Sequence, residues 1–563
     1  MIGGGGAGLS AGSAATHNVA LENPLEPDAS EELFTRGSGR SGAPRSWPKS
    51  HGRPDVVVRK GMLALVNETL TPHEALVEDL LFVRRALQKA RIAFFLIRGN
   101  DERPVIVVDA AARRKLERAL ALACQNEPMY AKTVTGKKRP PLLVSTGVLS
   151  ESRKARIFRL YRPRVEPRGG LTYGSSIGIE LQLWSFEAEN IICPVENSLT
   201  RRILPRSEAN PTTVNLYGHS WNTLRGMFDI QATDVVFDID MVFSWVDGND
   251  IDYQRRRRAQ GKGYVAGDGD DSDARYRQID ELKYALRSVY LFAPWVRRIF
   301  IATDSPKPAW LAEHPRVTFV RSEEFFGDVT VLPTHNSQAV ESQLHRIPGI
   351  SEYFLYSNDD MFFGRPVQPN MFFSPGGVTK FIEAQTRIGL GENDLERSGF
   401  ENAARVNRRL LSEKFGRIIT RHLEHAAAPL RRSVMAELEG EFPEDFRRTA
   451  ASRFRSSTDI SVTNSLYHYY ALMTGQAVVQ EAARVAYVDT TVRSGLGMLP
   501  EILRKRAYDF FCLNDGSFPE VSAEERTAVV QAFLEQYFPF PAPWETERAA
   551  RVPLDKGQFV AAG

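Results

Sequence analysis

The chain has 563 residues, of which 42% are hydrophobic, 10% aromatic and 25% charged. This composition is ordinary for a globular protein and excludes a wholly disordered or fibrous chain, and the length predicts about three or four domains. The balance of 72 basic against 69 acidic residues gives a net charge of +3, which argues against a dedicated nucleic-acid-binding protein.

The cysteines indicate a reducing compartment. Cys124, Cys193 and Cys512 lie far apart and form no CxxC pair, which argues against a disulfide framework and a cysteine-based zinc site. The sequence contains no apolar run of the roughly 20 residues needed to span a bilayer, and its start lacks the pattern of a signal peptide. We expect a soluble, cytoplasmic protein without an integral membrane segment, and we leave peripheral contact with the inner face of the membrane open.

The first part of the chain predicts an arm and a small accessory domain. Residues 1–53 are rich in Gly, Ser, Ala and Pro and predict a disordered arm. Residues 54–233 predict an N-terminal α/β domain of supporting or acceptor-binding function, with helices over 72–90 and 110–124. Its predicted strands cover residues 92–97, 104–108, 156–161, 177–184 and 191–195.

Residues 234–546 predict the main domain, followed by a tail over 547–563. Strands and helices alternate in its first half, which is typical of a mainly parallel sheet covered on both faces. We predict a strand ending near Phe243, a helix with Asp280 as N-cap, strands over 298–302, 317–320 and 353–356, and a helix over 337–346. The C-terminal part is predicted to be mostly helical, over 402–424, 430–440, 460–474 and 522–537, the last with Ser522 in a capping box.

Several predicted strands end in acids or amides. Asp247, Asp304 and the pair Asp359-Asp360 each follow an apolar run, and the carboxyl ends of parallel strands face the ligand crevice of an open sheet. Clustered carboxylates call for a cation, and Mg²⁺ or Mn²⁺ prefers oxygen ligands. A single Asp after a strand more often makes a turn or an N-cap, but adjacent acids between apolar runs favour a functional site.

Two histidines and two charged segments allow further interpretations. His422 and His425 are three residues apart, on one face of a predicted helix, and fit either a metal pair or a base that accepts a hydroxyl proton. No third ligand follows at zinc spacing. Residues 255–258 are four arginines, which more often form a solvated helix face than a phosphate clamp. Residues 267–273 lack the spacing of an EF-hand and predict a flexible acidic loop.

Four blocks of sequence, in order and over about residues 239–546, resemble the Stealth family. That family includes bacterial capsule and exopolysaccharide sugar-1-phosphate transferases and the animal GlcNAc-1-phosphotransferase α/β subunit. The match depends on long gapped agreement rather than on one short motif. The blocks comprise residues 239–250; residues 280–301 with 332–337, Glu341, 345–347 and 358–360; His425 with 441–446 and 453–455; and residues 511–515.

The resemblance implies a glycosyltransferase-A-like α/β core with a helical C-terminal subdomain, a UDP-sugar donor, an oligo- or polysaccharide acceptor and a divalent metal, Mg²⁺ or Mn²⁺. It places catalytic roles on His425, Arg455 and Asp360. It places metal and diphosphate contacts on Asp359, Asp360, Asn514 and Asp515. It places donor-site or core positions on Trp245, Asp247, Arg287, Asn336, Ser337 and Glu341.

One position departs from the family pattern. The family often has a second histidine three residues after the first, where this chain has Ala428. His422 lies upstream instead, so either the second histidine is dispensable or His422 takes over its work.

The resemblance implies transfer of hexose-1-phosphate from a UDP-sugar to a sugar hydroxyl, with release of UMP. Two alternatives stay open. One is a metal-dependent glycosyltransferase that moves the sugar alone and releases UDP, and the other is a non-catalytic scaffold that binds polysaccharide. Only His425 together with Arg455 favours phosphoryl transfer over sugar transfer, since the spacing of the acids fits both.

Overall fold

The fold is described from a computed structural model, which covers residues 53–135, 139–168, 170–248, 250, 255, 279–516 and 519–546. The predictions for the N-terminal arm up to residue 52, for the tail over 547–563, for the arginines at 256–258 and for the acidic loop over 267–273 lie outside the described residues. None of the helices within these ranges is both long and apolar enough to cross a membrane.

The first part of the chain is a mixed α/β structure. Its helices are α1 (Pro72–Lys89) and α2 (Arg113–Ala123), and its strands are β1 (Val56–Arg59), β2 (Met62–Val66), β3 (Phe94–Arg98), β4 (Pro104–Asp109), β5 (Tyr130–Thr133), β6 (Leu142–Leu143), β7 (Ile157–Tyr161), β8 (Arg164–Val165), β9 (Thr172–Tyr173), β10 (Ile179–Phe186), β11 (Asn190–Ile192), β12 (Ile203–Pro205), β13 (Pro211–Leu216) and β14 (His219–Leu224). An eight-stranded sheet runs β12-β11-β10-β7-β5-β6, with β4 beside β10 and β3 beside β4. A second sheet, β1-β2-β8-β9, and the hairpin β13-β14 complete this part.

Helix α1 shows why the sequence predicted it well. Thr71 is the N-cap: its hydroxyl accepts from the Glu74 amide, and the Glu74 carboxylate accepts from the Thr71 amide. Pro72 occupies the first turn, where its missing amide costs nothing. Leu80, Val83 and Leu87 recur on one face and are fully buried against the sheet.

The second part contains the remaining elements. Its helices are α3 (Glu281–Phe292), α4 (Ser322–Phe325), α5 (Ser337–Glu341), α6 (Gly399–Phe415), α7 (Arg432–Glu441), α8 (Pro443–Ala451), α9 (Tyr467–Met473), α10 (Arg493–Leu496), α11 (Leu499–Lys505) and α12 (Ala523–Tyr537). Its strands are β15 (Ile239–Ser244), β16 (Ile299–Ala302), β17 (Val317–Val320), β18 (Tyr353–Asn358), β19 (Met361–Phe363), β20 (Thr379–Phe381), β21 (Glu383–Arg387), β22 (Arg421–Leu423), β23 (Ala428–Arg431), β24 (Ala477–Val479), β25 (Val485–Asp489) and β26 (Phe510–Asn514).

A five-stranded sheet, β17-β16-β15-β18-β23, forms the centre of the second part. The first four strands in this order are parallel and β23 is antiparallel. The α/β class and the mainly parallel sheet are therefore confirmed. Two buried clusters pack against this sheet, one containing Met241 and Leu355 and the other containing Val242 and Phe354, so alternate residues of β15 and β18 face opposite layers.

A smaller sheet, β19-β26-β25, adjoins the central one. Asp359 and Asp360 are the two residues between β18 and β19, so the end of the central sheet leads directly into the smaller sheet. Met361 pairs with Cys512, and Asn514 pairs with Asp489. The acids after β18 and the residues at the end of β26 are therefore neighbours.

Two predicted helices differ from the structure. Helix α6 ends at Phe415 because Gly416 adopts a left-handed conformation, φ +66°, at its C-cap. His422 then lies in strand β22, which pairs with β21, and His425 follows that strand. The two histidines do not share a helical face as predicted. The predicted helix over 337–346 is α5 followed by a separate 3₁₀ turn at residues 344–346.

The two parts of the chain share contacts. Leu171 and Tyr173 of the first part belong to the buried cluster that contains Met241, and the Arg506 guanidinium donates to the Gly170 carbonyl oxygen at 2.6 Å. The boundary between residues 233 and 234 stays a prediction.

Candidate active site

Four carboxylates crowd together where β18, β26 and α3 meet. Burial raises the pKa of Asp359 well above its usual range, and the negative charges of Glu281, Asp360 and Asp515 raise it further. Burial also raises the pKa of Glu281 to about 7, and Asp515 adds to this rise. Each carboxylate disfavours ionisation of the next, so this group calls for positive charge.

Arg526 of α12 supplies part of that charge, but it is engaged with one of the acids. Its side chain is 2% exposed, and its guanidinium forms an ion pair with Asp515. Its Nε also donates to Thr490 Oγ1 at 2.7 Å, and Thr490 Oγ1 lies 3.2 Å from Asp515 Oδ1. Arg526 lowers the pKa of Glu281 without cancelling the rise.

Cys512 connects the acids to His425. Its Sγ lies 3.5 Å from Asp360 Oδ2 and 3.8 Å from His425 Nδ1. The pairing of β19 with β26 fixes this arrangement, because the Leu513 amide donates to the Asp360 carbonyl oxygen at 2.9 Å. Burial raises the pKa of the Cys512 thiol, and the charge of Asp360 adds to this rise. Cys512 therefore stays a neutral thiol between an acid and an imidazole.

His425 is a neutral imidazole at physiological pH. Burial lowers its pKa to about 4, and the neighbouring His422 contributes to the decrease. A neutral imidazole can accept a proton, which an imidazolium cannot. His422 stacks on Phe400, with ring centroids 4.6 Å apart, and the charges that shift its pKa are those of Glu401 and Arg405 rather than those of the four acids. This placement favours His425 over His422 as the base, although the assignment stays a prediction.

Arg455 lies in a polar network next to the same strand ends. Its Nη2 donates to Ser337 Oγ at 3.0 Å. Glu341 is 3% exposed and accepts from Thr463 Oγ1 at 2.7 Å and from the Tyr356 hydroxyl at 3.3 Å. Burial raises the pKa of Glu341, and the positive charge of Arg455 acts against that rise. The structure thus brings Arg455, Ser337 and Glu341 together.

The network reaches the residue that precedes Asp359. The Tyr356 hydroxyl oxygen also lies 2.9 Å from Asn358 Oδ1 and 2.7 Å from Ser244 Oγ at the end of β15. Because Ser244 and Asn358 are paired at the carboxyl ends of adjacent parallel strands, Arg455 is tied to the edge of the sheet where Asp359 and Asp360 begin.

Two of the residues predicted at donor-site or core positions have structural contacts. Trp245 is 5% exposed and belongs to the buried cluster beneath the central sheet. Arg287 of α3 forms a paired interaction with Glu545, with both nitrogen–oxygen distances 2.7 Å, and its Nη1 donates to the Phe538 carbonyl oxygen at 2.9 Å. These contacts attach the C-terminal segment to α3.

Three further polar residues stabilise loops around the site. Asn336 caps α5 by accepting from the Gln338 amide, and its Nδ2 donates to Asp459 at 2.7 Å, which anchors the loop that carries Arg455. Asp304 accepts from the Ser322 amide and caps α4 rather than joining the crowded acids. The Asp247 amide donates to Ser305 Oγ at 2.8 Å.

The acids fit a divalent cation only with help from other ligands. In the ranges that the structure covers, no three His, Cys, Asp or Glu side chains come close enough together to hold a metal ion by themselves. Mg²⁺ commonly takes one or two carboxylates and completes its shell with water and substrate phosphates. The raised pKa of Asp359 reflects burial first and then nearby negative charge, which such a cation would neutralise.

Sequence reasoning missed several residues at this site. Four residues come from separate elements and meet only in the tertiary fold: Glu281 of α3, Tyr487 of β25, Cys512 of β26 and Arg526 of α12. Cys512 carried a signal, since it stands directly before the Leu-Asn-Asp end of the fourth block. Phe400 carried none, because its approach to His422 depends on the early end of α6.

Family models identify the class of protein that this fold and site belong to. Models of the Stealth protein conserved regions match residues 237–265 for region 1, 275–381 for region 2, 424–472 for region 3 and 500–553 for region 4. These matches confirm the resemblance found in the sequence and include Asp359, Asp360, His425, Arg455 and Asp515.

Curated relatives extend the match to the rest of the chain. The chain is 63% identical over 492 residues to the exopolysaccharide phosphotransferase CpsY of Mycobacterium leprae, covering 87% of this chain and 91% of that protein. It is 54% identical to an exopolysaccharide phosphotransferase of Nocardia farcinica, covering 88% and 92%. The chain therefore belongs to the Stealth family of bacterial phosphotransferases and is an enzyme of that class.

Solved structures give a much weaker likeness. The galactosyltransferase LgtC in complex with donor and acceptor sugar analogues is 10% identical, with a TM-score of 0.28, and the match covers 54% of this chain and 96% of that chain. At that score the likeness adds nothing to the description of the fold.

Proposed function

We propose that the enzyme transfers hexose-1-phosphate from a UDP-sugar to a hydroxyl of an oligo- or polysaccharide acceptor, forming a phosphodiester and releasing UMP. The observation that carries the proposal is the position of His425, a neutral imidazole. Only the Cys512 thiol separates it from Asp360, one of the crowded carboxylates. The names of the relatives support an exopolysaccharide product. The strand order of the central sheet supports the glycosyltransferase-A-like core that the resemblance implies.

Asp359 and Asp360, with Asn514 and Asp515 beside them, would hold Mg²⁺ or Mn²⁺ against the donor diphosphate. When bound, such a cation neutralises charge on the diphosphate and on the departing nucleotide. The crowding of these acids supports the assignment, because a carboxylate with a raised pKa gains most from a nearby cation. Asp515 contributes less than the others, since Arg526 already pairs with it.

His425 would accept the proton of the acceptor hydroxyl. Its Nδ1 faces Cys512, which leaves Nε2 to meet the acceptor. The O–H bond of the acceptor breaks, its oxygen forms a bond to the phosphorus that bears the sugar, and the bond from that phosphorus to the UMP oxygen breaks. The proton goes to His425, and UMP leaves with the bridging oxygen. A positioned base of this kind contributes roughly 10²–10⁴-fold.

Arg455 would bind the oxygens of the transferred phosphate, where a guanidinium can make paired hydrogen bonds. Its hydrogen bond to Ser337 and the negative charge of Glu341 would orient it. We propose Asp247 and Ser337 as donor contacts and assign Trp245, Arg287 and Asn336 to holding the surrounding structure. The cytoplasmic location that the cysteines indicate also stays a prediction.

The test is to identify the released nucleotide. Purified protein is incubated with Mg²⁺, an oligosaccharide mixture, and UDP-glucose, UDP-GlcNAc or UDP-galactose in turn. UMP, with a phosphodiester in the saccharide product, supports the proposal. UDP would make the protein a conventional glycosyltransferase. Polysaccharide binding without release of any nucleotide would favour the scaffold instead.

A further inference from the structure

Within the part of the chain that the structure describes, the exposed aromatic side chains lie in one place. The chain contains 7 Trp, 17 Tyr and 32 Phe, and within the ranges that the structure describes only Phe400 and Tyr487 count as exposed, at 38% and 45%. All other aromatic residues in those ranges are buried or half-buried. Large apolar side chains that stay exposed together mark binding surfaces more often than chance.

Both exposed rings contact His425. The ring centroid of Tyr487 lies 5.0 Å from that of His425, with the planes inclined at 66°. The ring centroid of Phe400 lies 6.5 Å from that of His425, with the planes inclined at 46°. The proposed base is thus flanked by the two aromatic rings that are most accessible to a ligand.

The backbone holds these rings in place before any ligand arrives. Phe400 lies in the first turn of α6, where Ser398 caps the helix by accepting from the Glu401 amide at 3.2 Å, and its ring stacks on His422. Tyr487 lies in the middle of β25, which pairs with β26 on both sides of Cys512. Ordered rings lose little entropy when a ligand binds.

We infer that Phe400 and Tyr487 form the subsite that binds the acceptor as a pyranose ring. One face of a pyranose presents C–H groups and is apolar, so it packs on an aromatic face, while its hydroxyls need polar partners at the edge. His422 and the Tyr487 hydroxyl provide such partners. This inference rests on the proposed function, because it names the acceptor of that reaction.

The subsite borders that of the donor on its Tyr487 side, since Tyr487 pairs with Cys512 and is reached by the charges of Asp360 and Asp515. Phe400 and His422 belong to α6 and β22, which contribute none of the four crowded carboxylates. The donor diphosphate is assigned to those carboxylates, at the end of β18 and β26. An acceptor sugar on Phe400 and Tyr487 would present its hydroxyl to His425 from beside the donor.

Kinetics of single variants test the inference. Phe400→Leu and Tyr487→Leu keep apolar volume but remove the aromatic face, and Tyr487→Phe keeps the ring. With donor and acceptor varied separately, we expect the acceptor KM to rise about tenfold in each Leu variant, a change of about 1.4 kcal/mol. The donor KM should stay within about twofold, and Tyr487→Phe should retain most of the acceptor affinity. Leu472→Ala, at a side chain 36% exposed on α9, is the matched control.

An unchanged acceptor KM in both Leu variants would overturn the inference, and so would a rise in the donor KM alone. The proposed function is judged separately, from the nucleotide that the wild type releases. UMP release by the wild type with unchanged acceptor KM values in the variants would remove only the aromatic subsite, whereas failure of the wild type to release UMP would remove the proposed reaction.

Binding without turnover gives a second test that does not depend on the variants folding. In saturation-transfer NMR of the wild type with the methyl glycosides of glucose, mannose and galactose, we expect the strongest transfer to the C–H protons of one ring face. Uniform transfer to all ring protons, or no transfer to any of the three sugars, would contradict stacking on Phe400 and Tyr487.

Discussion

Two groups of charged residues in this chain, one buried around Asp79 and one half-buried around Asp359, are built in opposite ways. In the first part, Asp79 is 2% exposed and lies between two arginines: Arg162 Nε donates to it at 2.7 Å and Arg164 Nη2 at 2.8 Å. The Arg162 amide donates as well, at 3.0 Å. This carboxylate is fully compensated, which is what a stable interior requires of a buried charge.

Asp359 is arranged differently. No ion pair joins it to a Lys or Arg in the part of the chain that the structure covers, and burial with three nearby acids raises its pKa well above the usual range. Removing carboxylates even partly from water without a positive partner destabilises the fold. Such an arrangement is expected where a ligand supplies the missing positive charge, so the contrast separates a structural ion cluster from a binding site.

Replacing His425 should have the largest effect on activity. We expect His425→Ala to lose roughly 10²–10⁴-fold in kcat. Its melting temperature should stay close to that of the wild type, because His425 is expected to serve as a proton acceptor rather than as a partner in an ion pair. His422→Ala should lose much less. Retained turnover in His425→Ala together with a large loss in His422→Ala would reverse the assignment of the base.

Neutralising Asp359 should lower the activity of the enzyme without lowering its stability. We expect Asp359→Asn to lose about a thousandfold in kcat/KM, the equivalent of about 4 kcal/mol of charge stabilisation. Its melting temperature in EDTA should equal or exceed that of the wild type, since the change relieves repulsion. Thermal unfolding with EDTA checks the expected stability, and steady-state kinetics with Mg²⁺ check the expected loss of activity. A strongly destabilised variant would show that Asp359 is compensated after all.

The matched change in the first part should have the opposite outcome. Asp79→Asn leaves Arg162 and Arg164 without their shared carboxylate, and removing one partner of a buried ion cluster costs about 3–5 kcal/mol. Urea unfolding should show this loss, while the folded fraction keeps wild-type kinetic constants. A change in the donor or acceptor KM would mean that the first part contacts substrate.

Arg287 should behave like Asp79 rather than like Asp359. Its guanidinium is 10% exposed and Glu545 is 4% exposed, so we expect Arg287→Ala to lower the free energy of unfolding by about 3 kcal/mol. The donor KM should not change. A raised donor KM in a stably folded variant would return Arg287 to the donor site.

The smallest expected effect is a pH dependence of stability without metal. Because the pKa of Glu281 is raised to about 7 in the folded state, from an ordinary value of 4.5, the folded state binds more protons than the unfolded state between these values. Stability from this group is therefore lost as pH rises from about 4.5 to about 7. We expect the melting temperature of the wild type to fall by a few degrees relative to Glu281→Gln over this range, and Mg²⁺ to stabilise the wild type more at pH 7.5 than at pH 5. If the melting temperatures of the wild type and of Glu281→Gln changed equally with pH, the result would argue against a raised pKa of Glu281.

The sequence predicted local features better than tertiary ones. Alternating strands and helices predicted the central sheet, and the acids after a strand predicted Asp359 and Asp360 at its edge. The family blocks singled out Arg455, Ser337 and Glu341, and the structure brings these three together. The sequence predicted that α6 continues to residue 424. The segment after Gly416 instead forms β22, which pairs with β21, and local sequence patterns do not reveal a pairing between such distant segments. Arg526 could not be found, since it reaches the acids through the packing of a distant helix. Glu281 stands in the second family block but was given no role, because its approach to the acids also depends on tertiary packing.

The proposal that the phosphorus moves with the sugar is tested most directly by labelling. A UDP-sugar carrying ³²P in the phosphate attached to the sugar is incubated with the enzyme, Mg²⁺ and oligosaccharide acceptors, and the label is followed. Sugar-1-phosphate transfer predicts label in the saccharide product, resistant to phosphatase because it lies within a diester, and unlabelled UMP. Label recovered in UDP, with none in the saccharide, would contradict the roles assigned to His425 and Arg455.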